Sequence, residues 1–325
     1  MGAAQAPGVD YGLAAAKVEL EISGSRIARS MRTDISRRTF LRVASAATAG
    51  GLLTAYLGRA GDDKQDFAGF HVGIQSYCFR DPGFGLEKAI QLTHDLGLRW
   101  IEFFDGKPTV AGVPVGSTPS QVSAVVAFSQ KMGVTPDAWG VHVFTKDHAS
   151  HRPAFEVAKN LGVKVITADP HPASLDSLDK LVAEYQIGVG IHPHGPQKNG
   201  ELHRWYSAEV IMKAVKDHNP LIGSCLDTGH LIRAARMGHK LDPVEEIKIM
   251  GNRNHAIHLK DNDNARDVNV VLGRAALDVK GVLQALRDVH FQGPISIEYE
   301  ANSADPVPDI RECIKVVREA AKGLK

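Results

Sequence analysis

Leu86-Glu87-Lys88-Ala89-Ile90-Gln91-Leu92-Thr93-His94-Asp95-Leu96-Gly97 runs directly into Leu98-Arg99-Trp100-Ile101-Glu102-Phe103. The first stretch is an amphipathic helical run closed by a glycine, and the second is a short strand-forming run. The same pairing recurs along the chain from Phe70 onward. Strands are expected at His71–Gln75, Trp100–Phe103, Asp137–Val143, Val163–Thr167, Gly188–His192, Gly223–Asp227, Ala256–Lys260 and Ile295–Glu298. Between them lie amphipathic runs such as Leu86–Leu96, Pro119–Met132, Ala154–Leu161 and Val279–Val289. Leu96-Gly97, Met132-Gly133 and Leu161-Gly162 each place a glycine where a helix should stop. Short strands alternating with helices imply parallel βαβ units, and eight of them close a barrel. No GxGxxG or Walker pattern supports an open doubly wound sheet. The expected fold is α/β, a single (β/α)8 TIM barrel over residues 66–325, roughly the usual length for one.

A hydrophobic fraction of 43% and a charged fraction of 23% are ordinary for a soluble globular chain. The formal net charge is +1, with no basic block outside the N-terminal segment, which argues against nucleic acid and anionic membrane as partners. Cys78, Cys225 and Cys313 form an odd set without CxxC spacing and read as buried free thiols.

Residues 1–65 are expected to be a signal segment and linker. Ser36-Arg37-Arg38-Thr39-Phe40-Leu41-Arg42 matches the twin-arginine export motif. A weakly apolar stretch from Val43 to Leu57 follows, then Gly58-Arg59-Ala60 as a cleavage site. The stretch is too short and too rich in Gly, Ala and Thr for stable membrane insertion. No cysteine follows Ala60 to carry a lipid anchor. Met31 opens a conventional leader, so translation is expected to start there. These features point to the twin-arginine export machinery and to a periplasmic or secreted protein.

Barrel chemistry sits at the C-terminal ends of strands, and there this chain places its His, Asp and Glu. Strand five ends Ile191-His192-Pro193-His194-Gly195 and strand six ends Leu226-Asp227-Thr228-Gly229-His230. Strand seven ends Ile257-His258-Leu259-Lys260-Asp261 and strand eight ends Ile297-Glu298-Tyr299-Glu300. A charged side chain inside a barrel is costly unless paired or coordinated, and one shared cation would satisfy all four strands. Asp227 reads as a metal ligand or as a helix N-cap, and His258 as a ligand or a hydrogen-bonded core histidine. Glu298 has no inexpensive structural explanation. His192 and His194 compete for the remaining ligand position. His230 could also hold Asp227 in place, and Lys260 faces either a substrate oxygen or Asp261. His142, Glu102 and, where it is not the ligand, His194 are further candidate substrate contacts, and His171 a weaker one. Glu300 and Asp261 read equally as rim ion-pair partners or as functional groups, and Trp139 and Phe79 as packing residues ahead of sugar-stacking platforms.

At Asp227–His230, His258–Asp261 and Leu272–Glu300 the chain resembles the sugar phosphate isomerase/epimerase group of the xylose isomerase-like barrels. The resemblance spans the barrel and implies one divalent ion held by Glu, Asp, His and Glu from strands five to eight. Carried over by position, Asp227, His258 and Glu298 are three of those ligands. His192 stands where the group has its first Glu, and His194 matches a histidine that often follows. By the same resemblance His230 would bind substrate hydroxyls. Two imidazoles and two carboxylates suit Mn, Co, Fe or Zn better than Mg.

Family epimerases work with two metal-bound glutamates as opposed acid and base. Here Glu298 alone is left as the base, with His230 and Lys260 beside it as catalytic candidates. The expected function is therefore a metal-dependent carbohydrate isomerase or epimerase acting by α-proton abstraction on a sugar or ketosugar. β-Elimination or hydrolytic cleavage of a ketoglycoside and a non-catalytic sugar-binding barrel are the alternatives. A relative of endonuclease IV would need more His and Glu ligands and a basic groove. A homo-oligomer fits the resemblance, although no segment announces an interface.

Overall fold

The computed structural model describes residues 67–324. The twin-arginine stretch, the cleavage site and the Met31 start lie outside the described residues.

The strands and helices alternate as β1 His71–Gln75, α1 Gly85–Asp95, β2 Trp100–Phe103, α2 Pro119–Lys131, β3 Thr135–His142 and α3 Arg152–Leu161. They continue as β4 Val165–Ala168, α4 Leu175–Tyr185, β5 Gly188–Ile191, α5 Ala208–Val215 and β6 Ile222–Asp227. After α6 Thr228–Ala235 and α7 Pro243–Met250 come β7 Asn254–Leu259 and a hairpin of β8 Asp261–Asp263 and β9 Val268–Val270. α8 Val279–Asp288, β10 Pro294–Ile297 and α9 Val307–Ala321 complete the chain. The barrel closes in the order β1-β10-β7-β6-β5-β4-β3-β2, with its strands parallel. This is the (β/α)8 barrel that the alternation predicts.

Neighbouring residues on a strand point to opposite faces, and the core divides accordingly. A large cluster joins strand residues such as Ile74, Ile101 and Ile257 to helix residues such as Ile90, Leu178 and Leu283. A separate small cluster of Ala138, Val165, Cys225 and Ala256 comes from the alternate faces of β3, β4, β6 and β7. Small side chains suit the narrow barrel interior, and they leave the polar residues above them close together.

Local signals explain individual helices. Thr118 and Gln121 form a reciprocal capping box, with Pro119 in the first turn, and so start α2. α3 buries Ala154, Phe155, Val157, Ala158 and Leu161, and ends where Gly162 takes φ 78° and donates to Ala158 O and Lys159 O. All three cysteines are buried free thiols.

The bounds of several strands move. β3 begins at Thr135, two residues before the expected start, because Thr135 and Pro136 pair with Trp100 and Ile101. β4 begins at Val165, two residues late. β5, β7 and β10 stop one residue short of the expected ends, which leaves His192, Lys260 and Glu298 just beyond their strands. The β8–β9 hairpin has no counterpart in the sequence reading. Asp261 serves it structurally: its carboxylate accepts the backbone N–H groups of Ala275, Ala276 and Leu277 at 2.9–3.2 Å. Asp261 is therefore neither a rim ion-pair partner nor the partner of Lys260. No helix among the described residues is long and apolar enough to cross a membrane.

Candidate metal centre

His192, Asp227, His258 and Glu298, all buried, bring one ligand-capable atom each to within 4.8 Å of one another. His192 Nε2 lies 3.1 Å from His258 Nδ1 and 3.5 Å from Asp227 Oδ2, and His258 Nδ1 lies 3.0 Å from Glu298 Oε2. Ligands about 2.1 Å from a tetrahedral ion stand about 3.4 Å apart, so these spacings match a coordination shell. The donor set also fits by charge. Among the described residues, Glu102, Asp227, Glu298 and Glu300 meet only the Lys260 ammonium and His258 as compensating cations, an imbalance a divalent ion would correct. His192 Nδ1 has no hydrogen-bond partner among the described residues, and Asp227 Oδ2 has none beyond its ion pair with Lys260.

The tautomer of His258 is fixed from below. Its Nε2 faces Glu102 Oε2 at 2.8 Å, and a carboxylate can only accept, so the proton sits on Nε2. Nδ1 is thereby turned toward His192 and Glu298. Burial opposes a charge on His258, yet Cys225, Glu102 and Glu298 raise its pKa well above the usual value. The pocket thus calls for positive charge at Nδ1, which a proton or a metal ion can supply.

Glu102, expected as a substrate contact, bonds His258 instead. It is fully buried, and its oxygens also accept from Thr167 Oγ1 at 2.6 Å and Ser296 Oγ at 2.7 Å. Gln75 Nε2 approaches it at 3.4 Å. The carboxylate is thus shared among His258, Thr167, Ser296 and Gln75, all within the barrel wall.

The stretch Asp227-Thr228-Gly229-His230 can be read residue by residue. Asp227 Oδ1 accepts the His230 N–H at 2.7 Å and starts α6, so it caps the helix while Oδ2 faces the cluster. Thr228 Oγ1 donates to Lys260 O at 2.7 Å and accepts from Lys260 N at 3.0 Å. Gly229 makes room for the lysine stem, since a Cβ there would stand 2.5 Å from Lys260 Cγ. His230 Nδ1 accepts from Gly195 N at 2.9 Å, which leaves its Nε2 as an N–H donor. Burial first, then Lys260 and His192, lower its pKa well below the usual value, so it is a neutral donor.

Lys260 lies over the cluster with Nζ 3.2 Å from Asp227 Oδ2 and 3.1 Å from Glu298 Oε2, and it also bonds Glu300. Burial would lower its pKa, but Asp227, Glu298 and Glu300 together raise it. Glu298 is drawn down in turn: burial would raise it, yet Lys260 and His258 hold it at about 2. It is an ionised acceptor across the neutral range. Glu300 therefore faces Lys260 and not a rim partner.

Other residues named from the sequence fall around this centre or away from it. His194 stands outside the four-residue cluster, its ring 4.8 Å from His192 and 4.6 Å from His203. His142 ends β3 with Nδ1 2.6 Å from Asp105 Oδ2, and its ring stacks on Trp139. His171 is spent locally, its Nδ1 accepting the Ala173 N–H at 3.0 Å and capping a short turn. Trp139 is buried with its Nε1 donating to Val113 O, and Phe79 is enclosed in the core. Asp105, Asp169 and His203 escape a sequence reading because each gains its partner only through the closure of distant loops.

Residues 90–320 match the family described as the xylose isomerase-like TIM barrel. A curated relative, an uncharacterised protein of Methanocaldococcus jannaschii, is 26% identical over 155 residues, covering 46% of this chain and 50% of that protein. The chain thus aligns with half the length of that relative. An uncharacterised protein of Parabacteroides distasonis superposes with TM-score 0.58 at 25% identity, over 77% of this chain and 98% of its own. 3-Keto-D-glucoside 4-epimerase from E. coli has TM-score 0.58 at 16% identity, over 77% and 99% of the two chains. A D-tagatose 3-epimerase-like protein has TM-score 0.58 at 18% identity, over 77% and 99%. With the family match covering most of the barrel and its strand order closed, the chain belongs to the xylose isomerase-like TIM barrel family.

Proposed function

We propose that the chain is a metal-dependent carbohydrate isomerase or epimerase that moves a proton at the carbon next to a sugar carbonyl. The observation that carries this reading is the convergence of His192, Asp227, His258 and Glu298 on one point, beneath the ammonium of Lys260. Similarity in fold to sugar epimerases supports the substrate class. When bound, a divalent ion at this point would polarise the substrate carbonyl and stabilise negative charge on its oxygen.

The chain's own residues divide the remaining work. Glu298, ionised and buried, accepts the α-proton. His230, a neutral Nε2–H donor, holds a substrate oxygen without becoming charged. Lys260 is a fixed ammonium that balances the enediolate charge as it grows. His192 replaces the carboxylate expected opposite Glu298, and burial, followed by His194 and His258, lowers its pKa well below the ordinary value. A neutral ligand imidazole does not take a proton from the opposite face, so one-base chemistry is favoured: isomerisation, or β-elimination from a ketosugar. We place the enzyme outside the cytoplasm on the strength of Ser36–Arg42, where a free or oxidised sugar is the natural substrate.

Proton NMR in D2O with a panel of sugars and ketosugars tests the reading. Loss of one α-proton signal, dependent on Mn, Co or Zn and abolished by chelation, is expected. Metal-loaded protein that exchanges no proton on any member of the panel would sink it.

A further inference from the structure

Beside the four-residue cluster stands another set of donors: Asp169 just past β4, His194 just past β5, and His203 in the loop before α5. Each offers a ligand-capable atom within 4.8 Å of the others. His203 Nε2 and Asp169 Oδ2 are 3.5 Å apart. That is too long for a good hydrogen bond but matches the roughly 3.4 Å edge between two ligands of a tetrahedral ion. The ring of His194 stands edge-on to that of His203, centroids 4.6 Å apart, and neither His194 nitrogen has a hydrogen-bond partner among the described residues. Arg204 fixes the carboxylate by donating to Asp169 Oδ1 at 2.6 Å, which leaves Oδ2 for another partner. Trp205, with Nε1 on Pro170 O at 2.8 Å, pins the same loop against the end of β4.

We propose that Asp169, His194 and His203 form a second divalent-cation site, separate from the His192–Asp227–His258–Glu298 centre and sharing no ligand with it. Two imidazoles and one carboxylate on one side of an ion leave positions open for water or a substrate oxygen, and they select a late first-row ion such as Zn or Co. Ligation through His203 Nε2 moves that ring's proton to Nδ1. The contact this gives up is the long 3.3 Å bond from Trp205 N, so the loop shifts slightly as the ion enters. The guanidinium of Arg204 makes this the weaker of the two sites. Contact between the His192 and His194 rings, 4.8 Å apart, places it directly beside the first.

Titration of the chelator-stripped full chain with ZnCl2 or CoCl2, with metal counted by elemental analysis after equilibrium dialysis, tests the assignment. Circular dichroism checks that each variant folds. Wild type should take up two equivalents. Asp169→Asn and His203→Ala should each lose the weaker equivalent, and His258→Ala the tighter one. A second equivalent that survives both Asp169→Asn and His203→Ala would overturn the site. So would a wild type that holds only the equivalent removed by His258→Ala. A single equivalent removed by His203→Ala and untouched by His258→Ala would leave this site standing and take down the metal centre proposed above.

Discussion

The Cβ that Gly229 lacks would stand 2.5 Å from Cγ of Lys260. The helix start and the lysine stem therefore occupy adjoining space with nothing to spare. Gly229→Ala should push Lys260 off Asp227 and Glu298 while leaving the ligands in place. We expect a cost of about 1–3 kcal/mol, as for other overpacked sites, with a fall in kcat larger than any rise in KM. Thermal melting and steady-state kinetics check this; an alanine variant with unchanged stability and kcat would show that Lys260 moves freely.

Glu102→Gln replaces an acceptor-only carboxylate with an amide that presents N–H to at least one of His258, Thr167 and Ser296. His258 then loses its fixed tautomer, and metal affinity should fall about 10–100-fold, as when other partners of ligand histidines are removed. Isothermal titration with ZnCl2 reads the change. Affinity within twofold of wild type would show that the tautomer is set by other means.

Asp227→Ala, His258→Ala and Glu298→Ala should each sharply lower bound metal in elemental analysis. Glu298→Gln should retain part of it through the amide oxygen, yet lose proton exchange by about 10²–10⁴-fold, the usual effect of removing a general base. Deuterium entering the substrate from both faces at comparable rates in the wild type would instead reveal a second base.

His255 provides a pH probe away from the metal centre. Burial lowers its pKa to about 4, although its contact with Pro220 O works the other way. The folded-state value lies below the unfolded one of about 6.5, so unfolding takes up a proton. The stability this group contributes is complete above pH about 6.5 and is lost as pH falls toward 4. His255→Gln keeps an N–H for the carbonyl without titrating. In urea unfolding with chelator present, the wild type should lose more stability than the variant between pH 7 and 4.5. Parallel losses would show that His255 titrates normally.

Arg37→Lys with Arg38→Lys should retain the protein in the cytoplasm, and a chain beginning at Met31 should be exported normally. Cell fractionation distinguishes these outcomes, and undiminished export of the double variant would remove the twin-arginine assignment.

The barrel is legible because its signals are local. Helical spacing, the glycine after Leu161 and the capping box at Thr118 lie within a few residues of what they control. The positions of His192, Asp227, His258 and Glu298 are legible because polar residues at the ends of apolar strands stand out. The duty of Glu102 is not, since its partners Thr167, His258 and Ser296 lie 65, 156 and 194 residues away. Before closure, nothing near Trp100-Ile101-Glu102-Phe103 distinguishes a rim carboxylate from a buried one. The β8–β9 hairpin is hidden for a similar reason: Asp261 looks like a charged rim residue until the backbone of Ala275–Leu277 folds over it.

Glu102 belongs to β2 and His258 to β7, with β1 and β10 between them in the closed sheet. The imidazole thus takes up its working protonation pattern only after strands from both halves of the chain have met across the barrel axis. An intermediate with any seam still open would display the same four side chains but grip an ion weakly. Tight metal uptake at the proposed centre should consequently be a late event in folding, and loading a pulse-labelled chain with ⁶⁵Zn would time the sealing of the last seam.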